Sequence, residues 1–219
     1  MEIENVQSRT GVTLVGGGNL NLENIDAALT IAPYLVAADG GANHCLNYGK
    51  LPEAVIGDFD SIDASTRSAL ADSRLIHVAE QNSTDFEKAL SRIHAPFVIA
   101  TGFTAPRLDH TLAILNTLVK RVGPTCVVLG EEDVIFAAPN EVALDVPNGT
   151  RVSLFPLAPV SGTSEGLEWP INGMTLSPTG QIGTSNRATG PVTLAFDAPG
   201  CLILLPRSEL QTALNALVG

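Results

Sequence analysis

Val55-Ile56-Gly57-Asp58-Phe59-Asp60-Ser61 is a short apolar run that stops at two carboxylates flanking one phenylalanine. If the chain stays extended there, Asp58 and Asp60 point to the same side, because side chains alternate along a strand. Two carboxylates aimed together repel. At the end of a buried strand, a shared cation accounts for them better than solvation does.

Outward from this stretch, short apolar runs alternate with helix-like segments. Strands are expected over 12–16, 34–38, 54–56, 75–79, 97–101 and 126–129, and helices over 22–31, 41–48, 63–71, 85–93 and 108–121. Parallel neighbours need crossover connections, so this alternation predicts an α/β fold: an open, mostly parallel sheet with helices on both faces. Beyond about residue 135 the texture changes. Gly and Pro punctuate runs such as Arg151-Val-Ser-Leu-Phe155, Val192-Thr-Leu-Ala-Phe196 and Cys201-Leu-Ile-Leu-Leu205, the pattern of an all-β sandwich domain. The domains are expected at 1–140 and 141–219, with a terminal helix over 208–218 capped by Ser208.

The bulk composition narrows the function classes. A hydrophobic fraction of 45% with 16% charged residues describes a globular chain. The net charge of −11 argues against a nucleic-acid partner. Cys45, Cys126 and Cys201 are odd in number and form no C-x-x-C pair, which points to buried thiols in a reducing compartment. No apolar run approaches the roughly 20 residues that span a bilayer, and the amino terminus lacks a basic start and apolar centre, so a cytoplasmic location is expected.

The acids of the first domain follow its strands. Asp39 comes after 34–38, Asp58 and Asp60 after 54–56, Asp85 after 75–79 and Asp109 after 97–101. In an open parallel sheet the ligand crevice lies beyond the carboxyl ends of the strands, so the five would converge. Local readings exist for each: Asp39 as a turn former, Asp60 as a loop acid, Asp85 as dipole compensation beside a Thr84/Glu87 capping box, Asp109 as a helix-start acid. Their joint placement favours the crevice. Lys88 and Arg107 cannot balance five anions, and Mg²⁺ carrying polyphosphate oxygens completes the set. Gly16-Gly17-Gly18 and Gly40-Gly41 would let backbone N–H groups approach a phosphate. His44, His77, His94 and His110 show no metal-ligand spacing and read as structural, with His110 a weak candidate because it adjoins Asp109.

Four segments carry a resemblance: Ala38-Asp-Gly-Gly-Ala-Asn43, Gly57-Asp-Phe-Asp-Ser61, Gln81-Asn-Ser-Thr-Asp-Phe-Glu-Lys-Ala-Leu90 and Arg107-Leu-Asp-His-Thr-Leu112. In this order and spacing the chain resembles the thiamin pyrophosphokinase family. Gly166-Leu-Glu-Trp-Pro170 and Gly183-Thr-Ser-Asn186 are similar to that family's thiamin-binding β-domain. The resemblance implies transfer of a pyrophosphoryl group from ATP to the hydroxyl of thiamin, giving thiamin diphosphate and AMP. It makes Asp58, Asp60 and Asp85 the Mg²⁺ ligands, with Asp39 and Asp109 completing the crevice and Lys88 and Arg107 meeting phosphate. Asp39, Gly40, Gly41, Asn43, Gln81, Trp169, Ser185 and Asn186 become the candidate binding residues, Gln81 and Trp169 toward thiamin. It also implies a homodimer with active sites between subunits.

Two departures stand out. Thr104-Ala-Pro-Arg107 replaces a common Gly-Gly-Arg, and Arg187 follows Ser-Asn where an acid is frequent. The rivals are a pyrophosphokinase for another hydroxymethyl heterocycle of pterin type, and a non-catalytic nucleotide- or thiamin-binding protein.

Overall fold

The computed structural model describes residues 5–70, 74–80, 82–104 and 107–219. It divides into two compact units, Met1–Thr117 with Arg121–Gly130 and Leu118–Lys120 with Glu131–Gly219. The strand-rich unit therefore begins about ten residues ahead of the expected boundary.

The first unit runs β1 (Val6–Gln7), β2 (Val12–Val15), α1 (Leu22–Ile31), β3 (Tyr34–Ala38), α2 (Gly41–Asn47), β4 (Ala54–Gly57), α3 (Ala64–Ala69), β5 (Arg74–His77), α4 (Asp85–Leu90), β6 (Ile93–His94), β7 (Val98–Thr101), α5 (Leu108–Lys120) and β8 (Cys126–Leu129). Six strands pair in parallel in the order β8-β7-β2-β3-β4-β5. β2, β4, β7 and β8 are buried along their whole length, which is why they read as unbroken apolar runs rather than alternating ones. Successive strands move outward from β2 to β5 and then return to its other side as β7. The order reverses at β2, the position where open α/β sheets leave a crevice.

Helix α4 ends at Leu90, three residues before its expected end, because Ile93 and His94 instead pair in parallel with Val6 and Gln7. Two glycines let the loops above β2 close up. A Cβ on Gly41 would lie 2.1 Å from Val15 O, and one on Gly16 would lie 2.6 Å from Gly102 O.

The second unit runs β9 (Asp133–Ala137), β10 (Glu141–Leu144), β11 (Arg151–Pro156), β12 (Val160–Leu167), β13 (Thr175–Leu176), β14 (Gly183–Phe196), β15 (Cys201–Pro206) and α6 (Leu210–Val218). These strands pair antiparallel with one another. The amino-terminal part of β14 runs beside β11, and its carboxyl-terminal part runs between β10 and β12. Ser208 does not cap the last helix: it lies inside a 3-10 turn, Arg207–Glu209, whose own cap is Pro206. Among the described residues no helix is long and apolar enough to cross a membrane.

Candidate active site

A cleft of about 680 Å³ opens in the first unit beyond the carboxyl ends of β2, β3, β4, β5 and β7. The lining comes from the segments that follow these strands: Gly17 and Gly18, Asp39 and Gly40, Asp58 with Asp60 and Ser61, Ser83 to Phe86 with Lys88, and Gly102 with Phe103 and Arg107. Asp39, Asp58, Asp60 and Asp85 all line it, together with Lys88.

Asp39, Asp58 and Asp60 form the tightest group, each offering a carboxylate oxygen within 4.8 Å of the others. This set has Asp39 where Asp85 was expected. Strand alternation is not what brings Asp58 and Asp60 together. β4 ends at Gly57, and Phe59 takes a left-handed conformation with φ of 67° that folds the pair back toward Asp39. The Phe59 ring is held by the Arg67 guanidinium, 5.4 Å from its centroid, and by the His77 ring at 5.5 Å. Asp39 is also left-handed, with φ of 41°, and it is 2% exposed. Gly57 has no Cβ because one would come within 2.9 Å of Asp39 Cβ.

The electrostatics follow from this crowding. Burial pushes the Asp39 carboxyl above its usual 3.8; the Ser61 hydroxyl opposes this, and the charges of Asp85, Asp58 and Asp60 add to it. Asp39 Oδ1 is buried with no hydrogen-bond partner, although buried polar atoms are nearly always satisfied. Lys88 projects from α4 with a side chain only 3% exposed and places Nζ 3.0 Å from Asp58 and 3.4 Å from Asp85. Burial alone would lower its pKa. The hydrogen bond to Asp58 and the charges of Asp85 and Asp58 outweigh that, so the ammonium is held above its usual range. Thr84 caps the same helix, its hydroxyl accepting from Glu87 N–H at 3.2 Å.

The remaining expected residues are placed unevenly. Arg107 lines the cleft, and its guanidinium pairs with Asp109 at 2.5 Å, both side chains being 65% exposed. That pairing holds the Asp109 carboxyl below its usual range. Asp109 itself is outside the described cleft lining. Asn43 faces the cleft, but its amide is engaged at both ends: Nδ2 donates to Ser61 O at 2.9 Å, and Oδ1 accepts from Asp63 N–H at 3.2 Å. Asn43 thus holds the Ser61–Asp63 backbone beside the acids. Gly16 and Gly18 do not aim their N–H groups at a phosphate either, because they donate to Thr101 O and Gly102 O. Gln81, Ala105 and Pro106 lie outside the described residues.

His44, Asn47 and Phe103 also line the cleft without having been expected there, and so does His110, a weak candidate through its position next to Asp109. A helical signal was present for one group, since Asn43, His44 and Asn47 fall on one face at i, i+1 and i+4.

In the second unit Trp169 is 55% exposed and so does not belong to the strand core. Asn186 is buried and hydrogen-bonds the Trp169 backbone in both directions. Ser185 is exposed and left-handed, with φ of 61°. Arg187 is paired with Glu168 at 3.6 Å, which offsets its charge beside the tryptophan.

Comparison with known proteins yields matches to both halves. A family model described as "Thiamin pyrophosphokinase, catalytic domain" matches residues 25–128, and one described as "Thiamin pyrophosphokinase, vitamin B1 binding domain" matches residues 140–201. The chain is 26% identical over 178 residues to thiamin pyrophosphokinase 1 of Caenorhabditis elegans, covering 72% of each protein. The solved thiamin pyrophosphokinase from Candida albicans superposes with a TM-score of 0.76 at 17% identity, covering 93% of this chain and 94% of that one. The enzyme from Geobacillus thermodenitrificans gives 0.72 at 24% identity, covering 92% and 99%. At such identities the two structures are evidence of the fold alone.

Proposed function

The chain belongs to the thiamin pyrophosphokinase family, and on that premise we propose that its first unit binds ATP with Mg²⁺ and its second unit, an all-β sandwich, binds thiamin. The reaction moves the pyrophosphoryl group of ATP to the thiamin hydroxyl. A bond forms between the hydroxyl oxygen and the β-phosphorus, the bond from that phosphorus to the α,β-bridging oxygen breaks, and AMP leaves.

The observation that carries this reading is the three-carboxylate group facing a buried lysine beyond the sheet's carboxyl edge. Asp39, Asp58 and Asp60 fit a hard divalent cation, since all are carboxylates and Asp39 brings a buried oxygen with no other partner. They would hold Mg²⁺, which when bound neutralises polyphosphate oxygens. Asp85 completes the acidic wall and helps keep Lys88 protonated. Lys88 then presents a fixed ammonium to phosphate, a contribution that needs no reorganisation during transfer. Arg107, balanced by exposed Asp109 in the free protein, exchanges that partner for a phosphate oxygen.

Trp169 offers a flat, electron-rich face suited to a cationic heterocycle. The vitamin B1 binding-domain match over that region supports thiamin over a pterin alcohol. The acid set with Lys88 supports an enzyme over a passive binder. We read the working form as a cytoplasmic homodimer in which the thiamin residues of one copy serve the cleft of the other. Incubation with ATP, Mg²⁺ and thiamin should yield AMP and thiamin diphosphate in equal amounts. AMP released only with a pterin alcohol would overturn the thiamin assignment.

A further inference from the structure

The loop that carries Trp169 is fastened from two sides. Ile171 is buried and donates its N–H to Ser164 Oγ at 3.0 Å, while Ser164 N–H donates to Asn172 Oδ1 at 2.7 Å. On the β14 side, Glu168 N–H donates to Arg187 O at 2.8 Å as a main-chain ladder bond. At the next position a side chain takes over from the backbone. Trp169 N–H donates to Asn186 Oδ1 at 3.2 Å, and Asn186 Nδ2 donates to Trp169 O at 2.7 Å.

A bulge puts the Asn186 amide there. Val152 stands opposite Asn186 but Leu154 stands opposite Gly183, so two steps on β11 face three on β14. The surplus is absorbed at Ser185, whose φ of 61° reverses the backbone and whose N–H is satisfied by the buried Ser153 Oγ at 3.0 Å. Bulges commonly re-aim a neighbouring side chain in this way. Asn186 Oδ1 also accepts from Arg187 N–H at 2.8 Å, so both acceptor sites of its carbonyl are used. At 5% exposure Asn186 has little surface left to offer a ligand, whereas the residue it grips is more than half exposed.

We propose that Asn186 is a positioning residue for the acceptor: it acts through Trp169, holding that residue's peptide from both sides so that the indole is displayed in one orientation. The proposal rests on the reading of Trp169 as the thiamin-stacking residue. Thr184-Ser185-Asn186 is then a device that makes a bulge and spends the following amide on a distant backbone. In this arrangement Asn186 makes no direct hydrogen bond to the ligand.

Trp169 is the only tryptophan in the chain, so its fluorescence reports on this loop alone. Thiamin should quench the wild-type emission; if it does not, the thiamin reading of Trp169 fails, separately from the clamp. In Asn186→Ala the metal- and ligand-free protein should show lower Trp169 anisotropy and easier acrylamide quenching. Its KM for thiamin should rise about tenfold, as expected for losing a paired hydrogen-bond anchor, with the larger part of the change in KM rather than kcat. Adding Asn186→Ala to Trp169→Ala should raise KM no further. Losses that add in the double variant, or a raised KM with unaltered anisotropy, would mean that Asn186 touches the ligand and would overturn the proposal. Should Asn186→Ala fail to fold, Asn186→Asp keeps an acceptor for Trp169 N–H and replaces the donor to Trp169 O with a carboxylate oxygen, which breaks that half of the clamp. Unchanged anisotropy in that variant overturns the proposal equally.

Discussion

Asp39 occupies a left-handed backbone position with its carboxylate buried among three other acids, and both features cost free energy in the unliganded protein. Because its pKa is raised on folding, the stability tied to its neutral form is present below 3.8 and is lost as the pH rises through the raised value. Asp39→Asn should therefore melt a few degrees higher than wild type at pH 7 in chelator, and the gain should shrink toward zero below pH 4. Thermal melts across that range check the sign; an equal difference at both ends would contradict it. Mg²⁺ should stabilise the wild type more than this variant, since only binding to the native state raises stability. Phe59 is the second residue under strain. Phe59→Gly accepts φ of 67° without steric cost but removes the ring held by Arg67 and His77. We expect a folded protein whose kcat/KM falls about 10- to 100-fold, the scale of misplacing reactive groups by about an ångström. Wild-type turnover would show that the ring does not aim Asp58 and Asp60.

At the scale of elements, α2 and α4 bring the site together from opposite directions. α2 begins at Gly41, pressed so closely onto Val15 O that no side chain fits, which fixes the start of the helix against β2, while Asn43 bonds the Ser61–Asp63 backbone after β4. α4 is only six residues long, capped by Thr84, and it sends Lys88 inward to Asp58. Gly41→Ala would force its Cβ into backbone, so a loss of about 1–3 kcal/mol in urea unfolding is expected, the usual cost of overpacking. A variant as stable as wild type would mean that the β2–α2 contact can yield. Most of this arrangement was legible beforehand. Helix 22–31 appears over the expected residues, and helix 108–121 within one residue, because apolar periodicity is a local property. The shortened α4 was not legible, because β6 forms only by pairing with β1, some 87 residues earlier in the chain.

At the scale of the whole molecule, the three thiols are all buried, and they are distributed over both units. Burial pushes Cys45 and Cys201 up to about 12 and Cys126 higher still, so none carries useful thiolate at neutral pH. An aromatic disulfide reagent should find no reactive thiol in the native protein and three after denaturation. Rapid native reaction of even one would mean that part of the core opens locally.

From the sequence alone came the alternation of buried runs and amphipathic segments, the Gly- and Pro-punctuated second half, and the acids at strand ends. Burial periodicity, turn chemistry and the direction of a parallel strand are written within a few residues of one another. Only the tertiary structure decided which acids gather. Asp39 joins Asp58 and Asp60 because β3 and β4 are neighbours and Gly57 lets their ends touch, while Asp85 turns to Lys88. It likewise decided that Asn43 and Asn186 spend their amides on backbone rather than on solvent, and that Gly16 and Gly18 give their N–H groups to the last residue of β7 and the one after it. Apart from the Asp85–Lys88 pair within α4, these outcomes join groups at least 17 residues apart in the chain, such as Asn186 and Trp169, whose meeting depends on strand register and on a left-handed turn at one residue. Composition and spacing do not encode such distances, because a hydrogen bond forms or fails within a few tenths of an ångström.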